Sequence, residues 1–102
     1  MNDKIKEIIE SALKDYAIEK IILFGSRARG VYSEDSDYDI LISVKENLTY
    51  LKRRELTHKL LEKLADAYIA ADVIIRSSEY VEIAQNEIGN VINYAIKEGV
   101  TL

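Results

Sequence analysis

The chain has 102 residues, 48% of them apolar and 31% charged, with a net charge of −4. That balance excludes a disordered segment and suits one modest core, expected as a single domain over 1–102. Cysteine is absent, which excludes disulfides and thiolate metal sites, so any metal must rest on oxygen ligands or on the single histidine, His58.

Asn2 is the expected cap of a first helix over about 3–16, in which Ile5, Ile8, Ile9, Ala12, Leu13 and Tyr16 fall at helical spacing. Ile18–Phe24 is a β-branched apolar run ending at Gly25 and reads as a buried strand. A short helical turn over 26–29 and a polar loop over 30–36 follow. Tyr38–Val44 reads as a second strand. Thr49 is placed to cap a helix over about 50–66, whose buried stripe would use Leu56, Leu60, Leu61 and Leu64. Residues 69–75 (IAADVII) form a third strand. Ser77 and Ser78 open a last helical region, where Ile88, Val91, Ile92, Ala95 and Ile96 make a stripe that Gly99 stops. Residues 100–102 read as a short extra strand.

The helix between strands two and three suits a crossover, whereas the loop between strands one and two leaves their pairing open. The expected fold class is α/β (α+β): a small mixed β-sheet with helices packed mainly on one face. The N-terminus has no apolar leader after basic residues, and no apolar run reaches spanning length, so a cytoplasmic protein without membrane contact is expected. The acidic total argues against a nucleic-acid grip, sequence-specific or general, which needs a basic field. Lys52, Arg53 and Arg54 are a local exception, read first as a solvated face and second as a partner site.

Chemistry concentrates in ILFGSRARGVYSEDSDYDILISV. Strand alternation puts Asp37 and Asp39 on one side and Tyr38 and Ile40 on the other. Two carboxylates that close repel, and partial burial adds desolvation. A divalent cation relieves both effects, and Mg²⁺ usually takes one or two carboxylates together with substrate phosphate oxygens. Gly25 and Ser26 follow a strand and open a helical turn, where glycine lets phosphate approach backbone N–H groups and the Ser26 hydroxyl adds a donor. Arg27 and Arg29 would add positive charge, though both are also read as solvated side chains. The loop lacks the G-K-[ST] ending of a Walker A motif. Asp72, a charge inside an apolar run, is the candidate third carboxylate; otherwise it is an edge-strand charge that discourages aggregation.

Gly25-Ser26, ten residues, then Asp37-Tyr38-Asp39 resembles the G-S-x10-D-x-D signature of the polymerase-β-like nucleotidyltransferases, with Asp72 matching their third strand carboxylate. The length is similar to that of the minimal members, which keep only the palm domain. The resemblance implies that Gly25 and Ser26 hold a nucleoside triphosphate, with Arg27 and more weakly Arg29 beside it. It further implies that Asp37 and Asp39 bind two Mg²⁺ ions, and that Asp72 shares one ion and acts toward the acceptor. ATP would be the substrate. Minimal members often pair with a HEPN-domain protein as a toxin–antitoxin module, and some attach AMP to a tyrosine of that ribonuclease. Two further readings stand beside this one: an antitoxin that masks its HEPN partner without chemistry, and an adenylyltransferase for a small molecule. A palm without a second domain leaves sheet and helix surface uncovered, which would suit a homodimer or hetero-oligomer.

Overall fold

The computed structural model describes Met1–Leu102. In chain order the elements are α1 (Asn2–Ala12), β1 (Ile18–Phe24), α2 (Ser26–Arg29), β2 (Tyr38–Val44), α3 (Tyr50–Asp66), β3 (Ala71–Ser77), α4 (Ser78–Ala84), α5 (Val91–Glu98) and β4 (Val100–Thr101). The four strands form one sheet in the order β3-β2-β1-β4. β1 runs antiparallel to β2 and to β4, and β2 runs parallel to β3 through the α3 crossover. The sheet is therefore mixed, as the element order suggested.

Strand alternation separates two packed layers. One sheet face directs Ile21, Leu23, Ile40, Ile42, Val44 and Ile75 toward Ile5 and Ile9 of α1 and Leu56, Leu60 and Leu64 of α3, a cluster of 14 buried residues. The other face directs Ile22, Phe24 and Leu41 toward Val81 and Ala84 of α4 and Ile92 and Ala95 of α5, a cluster of 7. The helices thus pack mainly on one face, and a smaller layer covers part of the other.

Local chemistry sets the boundaries. Thr49 caps α3 by accepting from the Lys52 N–H at 3.1 Å, and Ser77 caps α4 by accepting from the Tyr80 N–H at 3.2 Å. Asn2, by contrast, is the first helical residue of α1; Met1 takes the cap position with no side-chain bond. The last helical region is two helices, not one. Asn90 caps α5 by accepting from the Ile92 N–H at 2.8 Å, and Gly89 precedes it with φ 87°. Ile88 lies in this connection and is 99% exposed, so it is not part of the buried stripe. Gly99 ends α5 by turning to an extended conformation, φ −82° and ψ 168°, and only glycine fits there because a Cβ would collide with Ile22 and the Ala95 carbonyl. The third strand begins two residues later than the apolar run suggests, and Asp72 remains inside it.

Candidate active site

The Gly-Ser turn and the second strand meet at the end of β1. Phe24, the last residue of β1, pairs with Asp39 near the start of β2. Gly25 then turns with φ 75° and ψ −157°, a conformation that side chains with a Cβ strongly disfavour. It has a second reason to be glycine: a Cβ would run into the Asp39 carboxylate at Oδ2. The backbone of the turn therefore lies against that carboxylate. The Gly25 carbonyl accepts from the Ala28 and Arg29 N–H groups at 3.1 Å each, winding α2, and Gly30 stops it in the left-handed conformation. Ser26 sits, half-buried, at the head of this turn of helix.

The parallel pairing of β2 with β3 brings in the third carboxylate. Asp39 is the direct register partner of Asp72, and partners in neighbouring strands project to the same face about 4.8 Å apart. That face is the one carrying Leu41 and the smaller core. Asp39 is half-buried, while Asp37 and Asp72 are exposed. Burial first, then the Asp72 and Asp37 charges, hold the Asp39 carboxyl above its ordinary 3.8, and Arg29 pulls in the opposite direction. Asp39 thus feels the charge of both other carboxylates.

The two arginines of α2 diverge. The Arg27 guanidinium stacks between Tyr32 and Tyr38, 4.3 and 4.4 Å from the ring centroids. Its Nε donates to the Ser36 carbonyl at 3.1 Å and its Nη2 to the Glu34 carbonyl at 3.2 Å. Tyr38 belongs to the large-core face, so Arg27 fastens the 30–37 loop on the side away from Asp39. Arg29 lies on the carboxylate side, where its Nη1 donates to the Tyr94 hydroxyl of α5. Tyr94 in turn stands edge-on to Phe24 with ring centroids 6.1 Å apart.

A model of the nucleotidyltransferase domain matches residues 3–98. The chain belongs to the nucleotidyltransferase-domain family. A chain of Methanocaldococcus jannaschii, named by inference as a protein adenylyltransferase, is 38% identical to this nucleotidyltransferase over 95 residues, 92% of this chain and 91% of that one. Among solved structures, a toxin–antitoxin complex with AMP-PNP aligns with TM-score 0.60 and 25% identity over 94% of this chain and 70% of that one. A complex of a tri-AMPylated Shewanella oneidensis HEPN toxin with its minimal-nucleotidyltransferase antitoxin aligns with TM-score 0.59 and 22% identity, over 99% and 71%. At that identity the second likeness speaks for the fold alone.

The nucleotidyltransferase brings together Gly25, Ser26, Asp39 and Asp72, with Asp37 close enough for its charge to act on Asp39. Arg29 lies on the carboxylate side, and the guanidinium of Arg27 is engaged by the Ser36 and Glu34 carbonyls and the Tyr32 and Tyr38 rings. Tyr94 is the neighbour that sequence reasoning missed, because 65 residues separate it from Arg29 and nothing local marks the contact. No three acidic, histidine or cysteine side chains enclose a metal by themselves. The donor set nonetheless fits Mg²⁺, which takes hard oxygens and commonly needs only one or two protein carboxylates beside substrate phosphate. Burial first and then the Asp72 and Asp37 charges raise the Asp39 carboxyl, and such a cation would relieve both costs. His58 is exposed and paired with Glu62 at 2.9 Å on the surface of α3.

Proposed function

We propose that this nucleotidyltransferase transfers AMP from ATP to a tyrosine hydroxyl of a HEPN-domain toxin, with two Mg²⁺ ions, and thereby acts as its antitoxin. The observation that carries this reading is the alignment of Asp39 with Asp72 above Gly25, in a family whose relatives include proteins named as protein adenylyltransferases. The toxin partner is supported by the AMP-PNP-bound toxin–antitoxin structure at 25% identity.

In this reading Ser26 and the backbone N–H groups at the head of α2 bind the phosphates, with Gly25 allowing the close approach. Arg29, held by Tyr94, adds positive charge beside Asp39. Asp37, Asp39 and Asp72 would hold the two Mg²⁺ ions, which when bound neutralise the triphosphate and stabilise the entering and leaving oxygens. Asp72, exposed on its strand, would take the acceptor proton. The acceptor oxygen bonds to the α-phosphorus as the bond from that phosphorus to pyrophosphate breaks, so that pyrophosphate leaves. Arg27 acts indirectly, by fixing the loop that carries Asp37.

The test is to incubate the chain with a HEPN protein encoded beside it and ATP, with and without Mg²⁺, and to weigh the partner intact. The expected result is a rise in steps of one adenylyl unit, on tyrosine, only with Mg²⁺. An unchanged mass together with a tight complex would favour masking without chemistry.

A further inference from the structure

The two edges of the sheet are unlike. β4 closes one side with a two-residue strand, Val100–Thr101. β3 ends the other side with seven residues, Ala71–Ser77, and no strand beyond them. A long bare edge offers a row of backbone donors and acceptors, and proteins usually blunt such an edge or use it. Here a groove of about 440 Å³ runs between this edge and α3, and it does not include the carboxylate site. Its wall is apolar at Leu61 and Val73, and Tyr50, Arg53, Arg54 and Arg76 also line it.

The charge at this groove stands apart from the rest of the chain. The molecule carries −4 overall, yet Arg53 and Arg54 of α3 and Arg76 of β3 line this groove and none is paired with a carboxylate. The contacts between basic and acidic side chains are Lys52–Glu55 and His58–Glu62. Two of the arginines rest on aromatic rings instead, Arg53 5.6 Å from the Tyr50 centroid and Arg76 4.1 Å from the Tyr80 centroid. Such stacking preorganises a guanidinium while leaving its N–H fork free. Arginine and tyrosine around an apolar floor are the residue types that carry interface energy.

We propose that the β3 edge and the arginine-lined groove dock an extended acidic segment of a partner protein. The segment adds a strand to the sheet; its side chains on the α3 side meet Leu61, Val73, Arg53 and Arg54, and its carboxylates on the other side meet Arg76. An acidic occupant is the one whose charge complements the unpaired arginines. Of β3 only residues 73–76 line the groove, not Asp72, and docking there acts without ATP or metal.

The experiment uses the full chain without nucleotide and three fluorescein-labelled probes at low salt. They are an octapeptide alternating valine and glutamate, its valine–lysine counterpart, and an oligouridylate. The acidic peptide should bind saturably and at least tenfold more tightly than the basic one. The double variant Arg53→Glu with Arg76→Glu should weaken it at least tenfold, while melting temperature and AMP-PNP affinity stay unchanged. Backbone amides over 73–76 should exchange more slowly when the peptide is bound. Failure of the acidic peptide to bind, preferential uptake of oligouridylate through the same arginines, or a dimer in light scattering that these substitutions break would overturn the proposal. Failure of AMP transfer in the mass experiment would leave it standing.

Discussion

The two faces of the sheet divide the work of the molecule. The face toward α1 and α3 is apolar along its whole length, and its cluster of 14 buried side chains includes no charge. The face toward α4 and α5 has half as many, 7, and gives its far end to Asp39 and Asp72. A charged group buried within the first layer would meet a large desolvation cost with no partner. At the margin of the second layer, solvent, Arg29 and bound phosphate or cation are all within reach. Stability is thus concentrated where chemistry is absent, and substitutions on the two faces should separate the two properties.

The largest separation is expected between Asp39→Asn and Leu60→Ala. Asp39→Asn keeps shape and removes one charge, and it should lower adenylyl transfer at least about a thousandfold, roughly 4 kcal/mol of barrier at about 1.36 kcal/mol per tenfold. Leu60 is fully buried in the larger cluster, so its truncation should cost about 2–5 kcal/mol of stability in a denaturant titration, while the remaining folded fraction keeps its specific activity. If Leu60→Ala removed activity from folded protein, the division between the faces would fail.

Gly25→Ala comes next and should damage both properties at once. It forces a side chain into φ 75° and against Asp39, and a strained backbone costs about 1–3 kcal/mol. Both melting temperature and transfer should fall, whereas Ser26→Ala should leave the melting temperature in place and weaken AMP-PNP binding by roughly 1.5–3 kcal/mol if its hydroxyl meets phosphate. Isothermal titration of the two variants distinguishes them.

A smaller and sharper contrast lies within α2. Arg27→Ala removes two carbonyl hydrogen bonds and a guanidinium stacked between two rings, so loop amides over 30–37 should exchange faster. Arg29→Ala removes the cation that lowers the Asp39 carboxyl, so Asp39 should titrate at higher pH, followed through its side-chain carboxyl carbon by NMR. Tyr94→Phe should do the same to a lesser degree while keeping the packing on Phe24. An Arg27→Ala variant that moves the Asp39 titration as far as Arg29→Ala would contradict the assignment of the two side chains to opposite faces.

These contrasts also mark what could be read from residue order. The Gly25-Ser26 turn and the Asp37-Tyr38-Asp39 step were legible because turn chemistry and strand alternation act over a few residues. Asp72 was legible because a charge within IAADVII conflicts with its surroundings. The side-by-side register of Asp39 and Asp72 was not, since it depends on the order of strands in the sheet. The opposite paths of Arg27 and Arg29 depend on Tyr32, Tyr38 and Tyr94, one of them 65 residues from Arg29. The break between α4 and α5 did leave a local signal in Gly89-Asn90, a positive-φ glycine followed by a capping side chain. The apolar spacing of Ile88 with Ile92 masked it, although Ile88 is exposed.

The most direct test is a set of thermal melts of the wild type, Asp37→Asn and Asp39→Asn, with and without Mg²⁺–ATP, repeated across pH. Because folding raises the Asp39 carboxyl above 3.8, the folded chain holds a proton that the unfolded chain has lost. Metal-free stability should therefore fall as pH rises from about 3.8 through the folded value, and then level off. Asp39→Asn should lack that fall and melt at or above the wild type at neutral pH, and the advantage should vanish below the ordinary carboxylate range. Mg²⁺–ATP should raise the wild-type melting temperature by linkage and raise that of either variant much less. If both variants melt far below the wild type without metal, and Mg²⁺–ATP shifts all three equally, these aspartates are structural caps and the active site lies elsewhere.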